Sequence, residues 1–154
     1  MNSVLITNAV IADSGSERPD GWVLVEEGRI AAVGHGELDE TAIDVFDAAG
    51  GTLFPGFVDV HCHGAAGVDV NAADADGLIA VGAFLAKNGV TAWLPTLVPD
   101  TDENYDRVIG EIDRVIRMQA GEPIAQIAGV HYEGVFANEK MCGALRPEFF
   151  KRFT

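Results

Sequence analysis

The sequence holds only two cysteines, Cys62 and Cys142, too few for a disulfide framework. Basic residues are also scarce: 10 Lys and Arg stand against 24 Asp and Glu, a net charge of −14. Such a surface repels polyphosphate and anionic headgroups, which argues against nucleic acid or membrane as a partner. No apolar run reaches the roughly 18 residues that a membrane helix needs. The N-terminus MNSVLITNAVIAD has no basic region, and Asn8 and Asp13 break its apolar run. Cytoplasm is the expected location. Neither G-x-S-x-G nor G-x-G-x-x-G occurs, so a serine hydrolase and a dinucleotide fold lack their usual marks.

What is present is a change of rhythm near residue 55. Before it, SVLITNAVIA (3–12) reads as a strand, DSGSERPDG (13–21) as a polar loop, and WVLVEEGRIAAVG (22–34) as a hairpin turning at Glu27-Gly28. Residues 43–54 give another strand with a Gly-Gly break. Residues 1–54 thus read as a small all-β unit. After Pro55-Gly56, the strand FVDVHCH precedes a helix over 73–88, with Leu78, Ile79, Val81, Leu85 and Ala86 at helical spacing and Gly89 behind it. A strand over 91–98 leads to Thr101, an N-cap candidate for a helix running to about Ala120. Val108, Ile109, Ile112, Val115 and Ile116 form its apolar stripe. AQIAGVHYE (125–133) reads as a third strand, and RPEFFKRF (146–153) as the start of a third helix. Strands alternating with helices imply parallel pairing, in either an open doubly wound sheet or a (β/α) barrel.

Side chains alternate along a strand, so Asp59, His61 and His63 are expected on one face and Val58, Val60 and Cys62 on the other. The apolar row suits packing beneath helices. The polar row then faces the far side, where unpaired polar groups cost about 1–3 kcal/mol each. Two imidazoles two residues apart on a strand can lean onto one cation. By spacing alone, His-x-His is more often a pair of satisfied structural histidines. GVHYEG supplies a second polar strand tip, with His131 and Glu133 on one face and Ile127 and Gly129 continuing it. For Glu133 the plain alternatives are a helix cap or a pair with Lys140. An imidazole and carboxylate set suits zinc, iron or manganese rather than calcium. His35 reads as a solvated turn residue, and Cys62 as a small buried hydrophobe.

PGFVDVHCHG behind a short β unit, followed by GVTAWLPTLV and GVHYEG, strongly resembles the amidohydrolase superfamily. GVT, LPT, HYEG and the stretch from Asn138 to Ala144 place the resemblance in its N-acetylglucosamine-6-phosphate deacetylase branch. The resemblance implies an α/β fold, with residues 1–54 forming part of a β-sandwich and residues 55–154 the first part of a (β/α)8 TIM barrel of about three strands. It implies metal-dependent amide hydrolysis that deacetylates N-acetylglucosamine 6-phosphate, or a related N-acetyl amino sugar phosphate, to acetate and the free amine. It further implies one or two divalent ions, zinc or iron, and a homodimer. Glu133, His61 and His63 match metal ligands. Asp59, His131, Gly134, Asn138, Gly143 and Ala144 match positions around them or lining the substrate pocket. Val135 stands where the family usually has proline, and Leu145 where it has a sugar-facing histidine, so deacylation is implied more firmly than the sugar. A complete barrel takes about 250 residues. The acid/base aspartate and further histidines are therefore expected beyond residue 154, and the chain alone is expected to be inactive. The alternatives are another amidohydrolase, such as an N-acyl-amino-acid deacylase or a cyclic amidase, or a non-catalytic fragment that associates with itself.

Overall fold

The computed structural model describes residues 3–12, 17–36 and 44–152. Its contacts divide into two units between Pro55 and Gly56. The first unit is one sheet of five strands: β1 (Ser3–Ala12), β2 (Glu17–Glu26), β3 (Arg29–His35), β4 (Asp44–Asp47) and β5 (Thr52–Leu53). β1 pairs antiparallel with β2 and parallel with β4 and β5, while β3 lies outside β2. The β2–β3 hairpin closes on Glu27 and Gly28, both at positive φ (51° and 75°). That geometry matches the twist of the flanking strands.

The polar stretch expected as a loop over 13–21 is strand from Glu17 onward. Ladder pairing of Arg18 with Ile11 overrides its loop-like composition. Pro19 and Asp20 fall in an irregular stretch between that pair and the Ala9–Gly21 pair. A bulge tolerates a proline that a regular ladder would not. Residues 13–16 of the expected loop and residue 43 of the next strand lie outside the described residues. His35 ends β3 rather than lying in a turn, with Nδ1 3.3 Å from the Pro19 carbonyl.

The second unit contains β6 (Phe57–Cys62), a short hairpin of β7 (Gly64–Ala65) and β8 (Val68–Asp69), α1 (Ala75–Lys87), β9 (Val90–Leu97), α2 (Asp102–Met118), β10 (Gln126–Ile127) and β11 (His131–Tyr132). β9 is central. It pairs in parallel with β6 on one edge and with β10 and β11 on the other. Both helices start on side-chain caps: Asp74 accepts from the Gly77 N–H and Thr101 from the Asn104 N–H. α1 ends at Asn88 with Gly89 at φ 83°. Leu78, Val81 and Leu85 of α1 and Val108, Ile112 and Val115 of α2 are buried around the fully buried Trp93 and Leu97. Among the described residues no helix is long and apolar enough to cross a membrane.

Three expectations change here. The strand expected over 125–133 is two short pieces. Ile127 pairs with Trp93 and His131 with Thr96, four residues against three. The extra residue reverses the alternation, so Ile127 is buried in the core and not on the face of His131. The buried Gln119 amide holds the first piece by bonding both the N–H and the carbonyl of Ile127. The third helix reduces to one 3-10 turn at Pro147–Phe149, because the Lys151 N–H turns away to the Val135 carbonyl; residue 153 lies outside the described residues. Finally, Val58 and Val60 do not lie beneath helices. They are 62% and 59% exposed on the edge strand, and of that row only Cys62 is buried.

The α2 stripe predicts its own energetics. Ile112 is 1% exposed and Ile116 is 38% exposed. Ile112→Ala is expected to destabilise the fold by about 2–5 kcal/mol, and Ile116→Ala by under about 1 kcal/mol. Urea unfolding of both variants measures the difference.

Candidate metal centre

β6 does not run regularly into its histidines. Asp59 pairs with Trp93 and Cys62 with Pro95, three residues against two. One extra residue therefore bulges from β6 between Asp59 and Cys62, and strict alternation from Asp59 to His63 is lost. Two side chains engage N–H groups of this stretch. The Asp59 carboxylate accepts from the His61 N–H at 3.1 Å, and the Thr96 hydroxyl accepts from the Cys62 N–H at 2.9 Å. Asp59 thus holds His61 through its backbone rather than through its ring.

On the other edge of β9, the Glu133 N–H donates to the Leu97 carbonyl at 2.9 Å and carries the β11 ladder one residue further. Gly134 follows at φ 71°, where a Cβ would stand 2.4 Å from Leu145 Cδ1. Glycine suits that backbone conformation, and a Cβ there would displace the end of the Leu145 side chain.

These constraints bring three donors together. His61 Nε2 and His63 Nε2 are 3.0 Å apart, and Glu133 Oε2 lies 3.2 Å from the first and 2.9 Å from the second. The imidazoles are 48% exposed, so ions and solvent reach them. With Glu133 ionised, no placement of protons makes all three contacts attractive. If both nitrogens carry hydrogen, they face each other as donors. If only one does, the other turns its lone pair on the carboxylate. A cation bound to three lone pairs removes the conflict. Donor atoms about 2.0–2.1 Å from a tetrahedral centre stand roughly 3.3–3.4 Å apart, a little wider than the spacing found. The residues therefore fit a divalent metal, and among the described residues this triad is the set of ligand atoms that could hold one.

The remaining expected residues divide. His131 stands beside the triad, its ring 4.9 Å from that of His61 and its Nδ1 3.2 Å from Thr96 Oγ1. Asn138 caps a local 3-10 turn through the Lys140 N–H. Gly143 (φ 61°) and Ala144 are exposed in the following loop. Cys62 is buried, and that burial pushes its thiol pKa up. Cys142 is half-buried, with Sγ 3.2 Å from the Glu139 carbonyl.

The sequence reading missed Thr96 and Asn71. The signal for Thr96 was a lone hydroxyl in an apolar strand. Asn71 had none, because its role depends on the hairpin that folds it back onto Val98. There its amide bonds both the Val98 N–H and the Val98 carbonyl. Asn71 also reaches Asp100, the residue that fastens the loop behind Glu133. Arg146 Nη2 lies 2.8 Å from Asp100 Oδ2, while the Thr101 N–H and the Asn104 amide donate to the same carboxylate. Burial pushes the Asp100 pKa up, but Arg146 and the donated hydrogen bonds outweigh it and hold the carboxyl below its usual 3.8.

A group with a depressed folded pKa stabilises the fold above its unfolded pKa, and that stability is lost as pH falls through the folded value. Asp100→Asn is therefore expected to melt below the wild type at pH 7. The gap narrows as pH falls through and below about 4. Thermal melts of both proteins across that range measure it.

No family model matches the chain. It is 28% identical over 144 residues to an N-acetylglucosamine-6-phosphate deacetylase of Lysinibacillus sphaericus, covering 92% of this chain and 36% of that protein. It is 32% identical over 132 residues to an N-acetylgalactosamine-6-phosphate deacetylase of Escherichia coli O157:H7, covering 86% and 34%. A crystal structure of N-acetylglucosamine-6-phosphate deacetylase from Pasteurella multocida shares its fold, with a TM-score of 0.87 over 99% of this chain and 39% of that one at 24% identity. The chain thus spans a little over a third of the length of these relatives. By sequence and by fold, it matches the N-terminal portion of the N-acetylglucosamine-6-phosphate deacetylases, as its motifs suggest.

Proposed function

We propose that the protein carrying this chain hydrolyses the acetamide of an N-acetylhexosamine 6-phosphate, releasing acetate and the amino sugar phosphate. One observation carries the reading: two imidazoles and a carboxylate converge from parallel strands on either side of β9, in a chain related to deacetylases. Glu133, His61 and His63 are the proposed ligands of one divalent ion, zinc or iron, with room in the reading for a second ion. When bound, the cation supplies Lewis-acid polarisation of the acyl carbonyl and brings the pKa of water from 15.7 toward about 7. Glu133 contributes the negative charge of the set. The imidazoles contribute neutral lone pairs, and Asp59 fixes where His61 stands.

Relatives named for both the glucosamine and the galactosamine phosphate support the substrate class without choosing the epimer. Leu145 against Gly134 gives this side of the loop an apolar wall. In the proposed enzyme, residues 55–154 are the first strands of a (β/α)8 barrel behind a β-sandwich portion. The exposed apolar side chains of Val58 and Val60 support that reading, since a closed barrel shields strand side chains from water. A cytoplasmic dimer completes the proposal.

In the intact protein, release of acetate from the acetylated sugar phosphates is expected to stop on chelation and to return with zinc or iron. Glu133→Gln keeps the shape of the ligand and removes its charge. It is expected to weaken metal binding by more than roughly tenfold, as read by metal content at fixed free metal, and to reduce turnover in step. Full activity and full metal content in Glu133→Gln would falsify the assignment.

A further inference from the structure

Asn71 is buried, and each of its polar groups is engaged. Its main-chain N–H donates to Asp69 Oδ1 at 2.8 Å. Its carbonyl accepts from Asn104 Nδ2 at 3.0 Å and from Arg107 Nη2 at 2.7 Å, which brace it from α2. Its side-chain oxygen accepts from the Val98 N–H at 3.0 Å. Its amide nitrogen donates to the Val98 carbonyl at 3.1 Å and to Asp100 Oδ2 at 3.3 Å. The orientation of the amide leaves no choice, because an N–H only donates and a carbonyl only accepts. Asn71 thus grips both main-chain groups of the residue just past the end of β9.

One further bond leaves from each side of this grip. The Val70 N–H donates to the His63 carbonyl at 2.9 Å, and the Glu133 N–H donates to the Leu97 carbonyl at 2.9 Å. Val70 precedes Asn71 in the chain, and Leu97 precedes Val98. The main chains of His63 and Glu133, which approach from opposite edges of β9, are therefore joined through a single side chain. We infer that Asn71 is a positioning residue that fixes the backbone spacing between His63 and Glu133. That spacing bears on a cation only through the proposed metal reading, on which its use rests, but the link itself needs no ion. Asn71→Asp keeps the shape of the side chain and the acceptor for the Val98 N–H. It sets an oxygen, in place of a donor, against the Val98 carbonyl and the Asp100 carboxylate.

The test is hydrogen exchange of single amides in the intact protein, stripped of metal by chelation. In wild type, the Val70, Val98 and Glu133 amides are expected to open as one unit, with a common urea dependence, before the α2 core opens. In Asn71→Asp all three are expected to exchange at least about tenfold faster, the effect of one lost buried hydrogen bond. The Ile112 amide in α2 is expected to keep its wild-type rate. Acceleration at Val98 without Val70 and Glu133 overturns the inference. So does an equal acceleration of Ile112, which marks a loss of global stability rather than of a local link. Should Asn71→Asp fail to fold, the wild-type exchange decides: Val70 and Glu133 either share one opening that precedes that of α2, or the inference falls. Because no metal or substrate is present, failure here is separate from failure of the deacetylation assay.

Discussion

The second unit depends on the register of two neighbours against one strand. β9 pairs with β6 on one edge and with β10 and β11 on the other, and everything that converges near His61 does so across it. A one-residue slip in a strand exchanges its two faces. The chain uses that sensitivity twice. An extra residue in β6 and another between β10 and β11 reset the alternation just before each polar tip. Cys62, Trp93, Leu97 and Ile127 stay in the apolar core with α1 and α2, while the imidazoles and Glu133 converge outside it.

Irregular backbone has to be satisfied, because an unpaired buried N–H costs about as much as a lost hydrogen bond. Side chains do that work at each break in the ladder. Thr96 and Asp59 serve the β6 bulge, Gln119 serves Ile127, and Asn71 serves Val98. These residues are the cost of aiming the donors, and they explain why so many polar groups are set into an apolar core. With Glu133 ionised, the three donors remain in conflict as long as only protons lie between them. That is why the proposed function rests on their distances rather than on their residue types.

Local patterns were legible where they were dense. The α2 stripe, the Thr101 cap, the Glu27-Gly28 turn and Gly89 behind α1 each combine a periodic or conformational signal with its physical cause, and each appears in the structure. The motif resemblance was legible for a different reason: several short motifs in fixed order are hard to produce by chance. What failed was reasoning that assumed unbroken alternation. Ile127 was placed with His131, and Val58 and Val60 beneath helices, because a bulge leaves no mark in residue types. RPEFFKRF has helical composition, but a single bond from the Lys151 N–H to the Val135 carbonyl decides otherwise.

The sequence by itself determined the two amphipathic helices, the strand that precedes each and the polar residues at the strand tips, because these depend on neighbours a few positions away. Only the tertiary structure decided that His61, His63 and Glu133 meet within 3.2 Å and that Thr96 stands between their strands. Those facts depend on which residue lies opposite which across β9. Register is set by packing and hydrogen bonding between segments far apart in the chain, and no local pattern encodes it.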